Sequence, residues 1–449
     1  MATAQEMVVL TLNPGAGDNP KRASRNLMMR HSIFIVPAYI RDRNPDAYTP
    51  KVVSIGPYHH VRLQNMEEHK IRALGHLARR SNKSDQDFID EIKIELKKSI
   101  MQLKDSYQQL SPPWRDDENE FLELMIYDGA FLYEFMRCFF ETETSDYDAD
   151  DPVFSYFGLL NLYPFIIPDI IMIENQLPLH VLERLIAVET RQLNQRHDQK
   201  VSGLVFKLLG QAVAPQNEGS PRLHVLDLAR QAIAREDLNG STEPNRNPAT
   251  HVHSASALSD AGLQFAESVL QGTSGIEFSG GTLYVAPLCI DTFTAPLFLN
   301  SIVFERVRPG VGRQVSSYVA FIAGLIRTSK DVSLLTSHQL VDCRISGGDE
   351  LVANIMTTIS ENVFFDPYSS LCQVRDSLNT YYLAKTKSWK RRLREWGRNF
   401  SQNYFANPWT IISLFAAVVL LVLTMLQTVY TMLGYYKGTD NNNNASSPT

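Results

Sequence analysis

At 449 residues, 44% of them hydrophobic, the chain is long enough to bury a sizeable core. Its 43 basic and 49 acidic residues leave a formal charge of −6, which argues against a nucleic-acid binder with its concentrated basic face. Cys138, Cys289, Cys343 and Cys372 form no Cys-x-x-Cys pair, so they fit buried thiols in a reduced compartment rather than a disulfide framework or zinc site.

Residues 1–30 carry Gly, Asn and Pro without sustained periodicity and are expected to form a disordered leader. The apolar run at 7–12 is too short for a signal peptide and has no basic region before it. Order is expected from Ser32. Pro50 and Pro57 bracket a short extended piece, and Gly56 permits a tight turn there. Residues 66–80 predict a helix. A second is expected over 86–110, with Ile89, Ile92, Leu96, Ile100, Leu103 and Tyr107 on one face and Pro112–Pro113 ending it. The third, 120–140, is more apolar and therefore more buried. Asp128 lies within its apolar stripe, where a carboxylate is costly unless paired, so a basic partner from the 67–72 turn of the first helix is expected.

An acidic run at 141–151 predicts a solvated loop. Beyond it, Pro168 is expected to start one helix and Pro178 another, because proline at the first helical position loses no intrahelical bond. Glu174, Asn175 and Gln176 then fall in a polar corner between two apolar helices. With Asp128 they are expected to satisfy buried backbone groups and lock the helices together. Further helices are predicted over 223–234, 255–270, 292–305, 316–327 and 331–341, with helical pattern continuing over 350–383. A polar linker occupies 238–254, and Gly280-Gly281 marks a hairpin at 276–285. The fold class expected is mainly α: a helical domain over 31–384 with one or two small β-hairpin elements, plus one C-terminal transmembrane helix.

Residues 385–408 form a basic stalk carrying Lys385, Lys387, Lys390, Arg391, Arg392, Arg394 and Arg398, opposed only by Glu395. Residues 409–433 contain no charge, and a helix over 411–433 rises roughly 35 Å, enough for a hydrocarbon core of about 30 Å. Basic flanks stay cytoplasmic, so a tail-anchored, single-pass protein is expected, with the N-terminal domain in the cytosol and the 434–449 tail across a plasma or internal membrane. The stalk should contact anionic lipid headgroups, with a calmodulin-like partner as the alternative. Thr424, Gln427, Thr428 and Thr431 make a polar stripe on the span and predict a helix–helix contact, hence self-association.

No pattern in the chain predicts a metal, cofactor or catalytic set. His59, His60, His69 and His76 lack the H-E-x-x-H spacing of a zinc enzyme. Asp146, Asp148 and Asp150 imitate a calcium loop, but its glycine and terminal glutamate positions hold Asp151 and Phe157. Neither Gly-Lys-Ser/Thr nor G-x-S-x-G occurs. Spacing alone does not bring Asp128 or Asp169 against Glu174 as an acid–base pair. The expectation is a non-enzymatic interaction protein with an unidentified protein partner and no nucleic acid. The alternatives are a membrane-tethered enzyme with an unrecognised site and a passive scaffold.

Several strings together resemble the plant DUF247 (UPF0481) family. They run from Val53 to His60, from Met66 to Lys70, Tyr127-Asp128-Gly129, from Glu174 to Pro178, from Leu283 to Thr292, and from Leu297 to Asn300 with Phe304-Glu305. Asn407-Pro408-Trp409 and the 427–430 string complete the set in the family's order. Ala130 departs from a position where cysteine is common, which counts against a thiol role there. The resemblance implies a plant protein with one C-terminal span and no established reaction, from a family some of whose members are associated with reproductive recognition.

Overall fold

The computed structural model describes residues 31–140, 146–210, 222–234, 251–361, 363–386 and 408–441. The expected leader, the first five residues of the acidic loop, most of the polar linker, the end of the tail, and Lys387, Lys390, Arg391, Arg392, Arg394 and Arg398 lie outside the described residues. The chain is mainly helical, with two small sheets, and falls into two units, Met1–Asn379 and Thr380–Thr449.

In the first unit, α1 (Glu67–Arg80) opens on Glu67 and Glu68 and closes on Arg79 and Arg80, charges that suit the two ends of the helix dipole. Ser84 caps α2 (Asp85–Lys97) by accepting the Asp87 N–H. The single helix expected over 86–110 is broken at Lys98–Ser99, and Ile100–Asp105 is a separate short helix. The break redirects the chain so that Tyr107 forms a parallel bridge with Ile33 while Leu103 and Tyr107 stay buried. Pro112 and Pro113 open the short helix Pro112–Asp116, where their missing N–H groups cost nothing.

The longest described helix of this unit, α3 (Glu118–Phe140), supplies the centre of the core. Around it pack α1, α2, α5 (Leu179–Glu189) and α6 (Asp198–Leu208), joined through Leu77, Phe88, Phe131, Phe135, Leu185 and Val205. Gly129 permits the approach of α3 to α5: a Cβ there would lie 2.7 Å from Leu185 Cδ1 and 2.9 Å from Val181 Cγ1. Between them, α4 (Tyr156–Ile170) runs straight through Pro164 and Pro168, which corrects the expectation that Pro168 starts a helix. The carbonyls that the two rings leave without donors belong to Leu160 and Pro164, both exposed residues.

After α7 (Val225–Ile233), the helix expected to reach Leu270 ends at Asp260. Gly262, with φ +88°, turns the chain into β1 (Gln264–Glu267), which pairs in parallel with β3 (Thr282–Val285). β2 (Glu277–Ser279) and β3 form the expected hairpin, with Gly280 and Gly281 both at positive φ. β4 (Leu288–Ile290) and β5 (Val341–Cys343) form a second parallel pair. Between them lie α8 (Thr294–Val307), α9 (Gln314–Leu325) and α10 (Ser329–Ser337). Glu305 caps α9 by accepting the Val315 and Ser316 N–H groups at 2.9 Å each. The 350–383 pattern is interrupted: α11 (Gly348–Ile359) stops at a non-helical stretch, and helix resumes over 370–386. In the second unit, α12 (Pro408–Asn441) contains Phe415–Met432, long and apolar enough to cross a membrane.

The N-terminal segment at 32–36 joins distant parts of the first unit. Ser32 and Ile33 donate to Ser106 O at 2.8 Å each, and His224, at the start of α7, donates from Nε2 to Ser32 O at 2.9 Å. The other ring nitrogen, Nδ1, accepts the Asp227 N–H at 3.2 Å. Burial lowers the His224 pKa to about 3, so the folded protein holds it neutral. Between pH 6.5 and 3 the unfolded chain binds a proton there that the folded chain does not, so this stability is full above pH 6.5 and drains away on acidification. The stability advantage of wild type over His224→Asn, a cap that does not titrate, should shrink by about 3 kcal/mol from pH 6.5 to pH 4. Urea unfolding across that range measures it, and a pH-independent difference would contradict the assignment. Taking the difference removes Asp227, whose carboxyl burial pushes up and which acts in the opposite direction.

Candidate functional site

Residues 51–56 are the part of the chain with the most unusual backbone accounting. No strand pairs with them among the described residues, yet residues 53–56 are buried. Their polar backbone must therefore find partners elsewhere. Asp169, near the end of α4, accepts the N–H groups of Lys51 (3.0 Å), Val52 (2.7 Å) and Val53 (2.9 Å). Asn175 accepts from Ile55 N at 2.7 Å and donates back to Val53 O at 3.0 Å. Asp128 on α3 accepts Gly56 N at 2.6 Å, and Lys70 on α1 donates to Ser54 O at 2.8 Å. Side chains thus occupy the places a neighbouring strand would fill.

The turn after α4 does a second job. Asn175 Nδ2 donates to Asp169 O at 3.0 Å, while Gln176 Nε2 donates to Ile170 O at 2.6 Å and Met172 O at 2.7 Å. These carbonyls lie at and just beyond the C-terminus of a helix, where intrahelical donors run out. Gln176 Oε1 also accepts from Leu226 N at 3.1 Å, tying α7 to the corner. Gly56 sits at φ +80° with Gln176 O only 2.5 Å from where its Cβ would be, so this crossing admits no side chain.

Buried ion pairs add to the corner. Lys70 Nζ lies 2.6 Å from Asp128 Oδ1, with both side chains fully buried, and also donates to Glu67 Oε1 at 2.6 Å. Lys70 is the partner required of the 67–72 turn. Burial works against its charge, but Asp128 and Glu67 outweigh burial and hold the lysine pKa above its ordinary value. Glu174 accepts from Val36 N at 2.6 Å and from Arg41, and pairs with His59 Nε2 at 3.0 Å. Asn300 on α8 completes the arrangement. Its Oδ1 accepts from Ile173 N at 3.0 Å and its Nδ2 donates to Ala47 O at 2.9 Å.

The other candidates are dispersed. His60 stands edge-on to Trp114 and His76 stacks on Tyr147 at 3.8 Å. No group of three His, Cys, Asp or Glu among the described residues is arranged to hold a metal. Asp146 instead faces Arg80 (2.8 Å) and Arg137 (3.0 Å), two cations that also bind the buried Glu134. Burial would raise the Glu134 pKa, but the two guanidinium groups carry it below the ordinary carboxylate value. Asp169 and Glu174 share the corner, and each is engaged with backbone amides.

Sequence reading did not identify Lys70, Asp169 and Asn300 as members of the corner. Asp169 carried a usable signal, an acid after a proline in an apolar run. On α12, Thr424, Thr428 and Thr431 donate back to Leu420 O, Thr424 O and Gln427 O at 2.7–2.8 Å. The amide of Gln427 remains the strongest polar group of that stripe. Lys385, the one described member of the basic cluster, lies over the Tyr381 ring at 5.2 Å.

A family model described as DUF247, plant protein of unknown function, matches residues 33–423. The UPF0481 protein At3g47200 of Arabidopsis thaliana is 27% identical over 458 aligned residues, covering 93% of this chain and 89% of that protein. Another UPF0481 protein of the same plant, At3g02645, is 22% identical, covering 88% of this chain and 89% of its own length. No solved structure matches the chain.

Removing one member of the buried pair leaves the other charge without compensation. Lys70→Met should cost about 3–5 kcal/mol in urea unfolding. Adding Asp128→Asn removes the stranded charge and keeps an acceptor for Gly56 N, so the double variant should recover at least half of that loss. A double variant no more stable than Lys70→Met would refute the pairing.

Proposed function

The chain belongs to the DUF247 family, whose function is unknown, and from that premise we propose that it is a membrane-anchored recognition protein that acts by binding another protein. The observation that carries this reading is α12: Phe415–Met432 has no buried face among the described residues and contains no charged residue. An exposed apolar surface of that length is accounted for by lipid. The rejection of catalysis rests on the corner, whose carboxylates and amides are committed to backbone groups and ion pairs.

In this reading the basic cluster holds the stalk against anionic headgroups and keeps the helical unit in the cytosol. Glycosylation mapping tests the topology, since Asn82, Asn239, Asn399 and Asn444 each begin an Asn-x-Ser pattern. An acceptor site appended after Thr449 should be glycosylated while Asn82 and Asn239 stay bare; a glycan on either of those overturns the orientation. Proximity labelling from the intact chain should enrich a protein that an anchor-only chain of residues 380–449 does not. Equal labelling by both would sink the recognition role.

Self-association through α12 follows from Gln427, because the neighbouring threonines already spend their hydroxyl protons within their own helix. An interhelical hydrogen bond of about 1 kcal/mol corresponds to roughly fivefold in association. Gln427→Leu should weaken self-association in a membrane two-hybrid by about that factor, and an unchanged signal would reduce α12 to an anchor.

A further inference from the structure

A cavity of about 790 Å³ in the first unit opens between α9, α11 and the stretch that follows α11. Its size falls within the range of small-molecule sites, roughly 300–1,000 Å³. It exists because one side of α9 carries only Ala320, Ala323 and Gly324 there. Gly324 is packed so closely on Val252 that a Cβ would lie 2.7 Å from the valine's own Cβ.

The charge on the cavity wall is one-sided. Among the described residues Arg327, Arg375 and His251 line it, and no Asp or Glu does. Arg375 is only 2% exposed and its guanidinium lies 4.8 Å over the Phe365 ring, also in the wall. Its Nε donates to Asp376 Oδ1 at 3.0 Å; Nη2 is 3.0 Å from the same oxygen as an ion pair, yet has no hydrogen-bond acceptor. Asp376 engages one edge of the guanidinium through a single oxygen, and an arginine fork is shaped to take two oxygens of one acid group. Arg327, an exposed residue, donates from Nη2 to Val252 O at 2.9 Å. Phe364, 72% exposed, also lines the cavity and offers apolar surface for an incoming molecule to cover.

We infer that this cavity binds a small amphipathic organic anion, with its acid group on Arg375 and Arg327 and its apolar body against Ala320, Ala323 and Phe365. The inference is independent of the protein-binding reading, and the two stand or fall separately.

The test uses the intact chain in zwitterionic nanodiscs, titrated calorimetrically with 2-naphthalenesulfonate against empty discs. Saturable one-site binding is expected, with the neutral 2-naphthalenesulfonamide at least tenfold weaker. Arg375→Gln should weaken sulfonate binding at least tenfold. Because that residue is buried, Arg327→Gln, at an exposed position, provides a second reading and should weaken binding at least threefold without lowering the melting temperature. Ala320→Leu, which fills the floor and keeps both cations, should abolish binding of both probes. No saturable heat above the empty discs overturns the inference. So does equal affinity for the two probes, or unchanged affinity in both Arg327→Gln and Ala320→Leu.

Discussion

A buried extended segment with no strand beside it must find its hydrogen bonds somewhere, and most of the first unit is arranged around that need. Residues 51–56 thread between α1, α3 and α4, and each of these helices gives up a position on its apolar face to serve them. Lys70, Asp128 and Asp169 all stand where the periodicity alone would place a leucine or valine. An unpaired buried backbone group costs about 1–3 kcal/mol, so a handful of them would rival the net stability of an ordinary domain. The substitution of charged for apolar residues is thus required by the path of the backbone.

The same accounting explains what the acids of the corner do: Asp169 has both oxygens on amides, and Glu174 divides its own between Val36, Arg41 and His59. The residues that carry the family resemblance are largely these. Val53, Gly56, Lys70, Asp128, Gly129, Glu174, Asn175, Gln176 and Asn300 meet as donors, acceptors or points of close approach. These members of the family strings thus serve the packing of the chain.

Much of this was legible in the residues. Asp128 was conspicuous because a carboxylate in an apolar stripe violates the period, and the need for a partner one helix away followed from electrostatics alone. Glu174-Asn175-Gln176 between two apolar runs, and Gly280-Gly281 between alternating residues, were equally plain. What the residues did not display was decided by distant contacts. Helix α4 passes through two prolines because its orphaned carbonyls lie at exposed residues, a fact no local window contains. The break at Lys98–Ser99 is set by where Tyr107 must reach Ile33. Strands β1, β4 and β5 are three or four residues long, too short to show a period, and exist only through partners 18 to 53 positions away.

The wiring of the N-terminal segment has a consequence for how the protein is made. Ser32 waits for His224, 192 residues later, and Ala47 waits for Asn300, 253 residues later. At a synthesis rate of about 5–20 residues per second, this segment leaves the ribosome roughly 10–50 s before those partners exist. During that interval its amides and apolar side chains are unprotected, and loop-closure entropy opposes premature docking. Assembly of the unit is therefore a late event, completed from the C-terminal side, and the nascent chain depends on whatever shields residues 31–56 until α8 arrives.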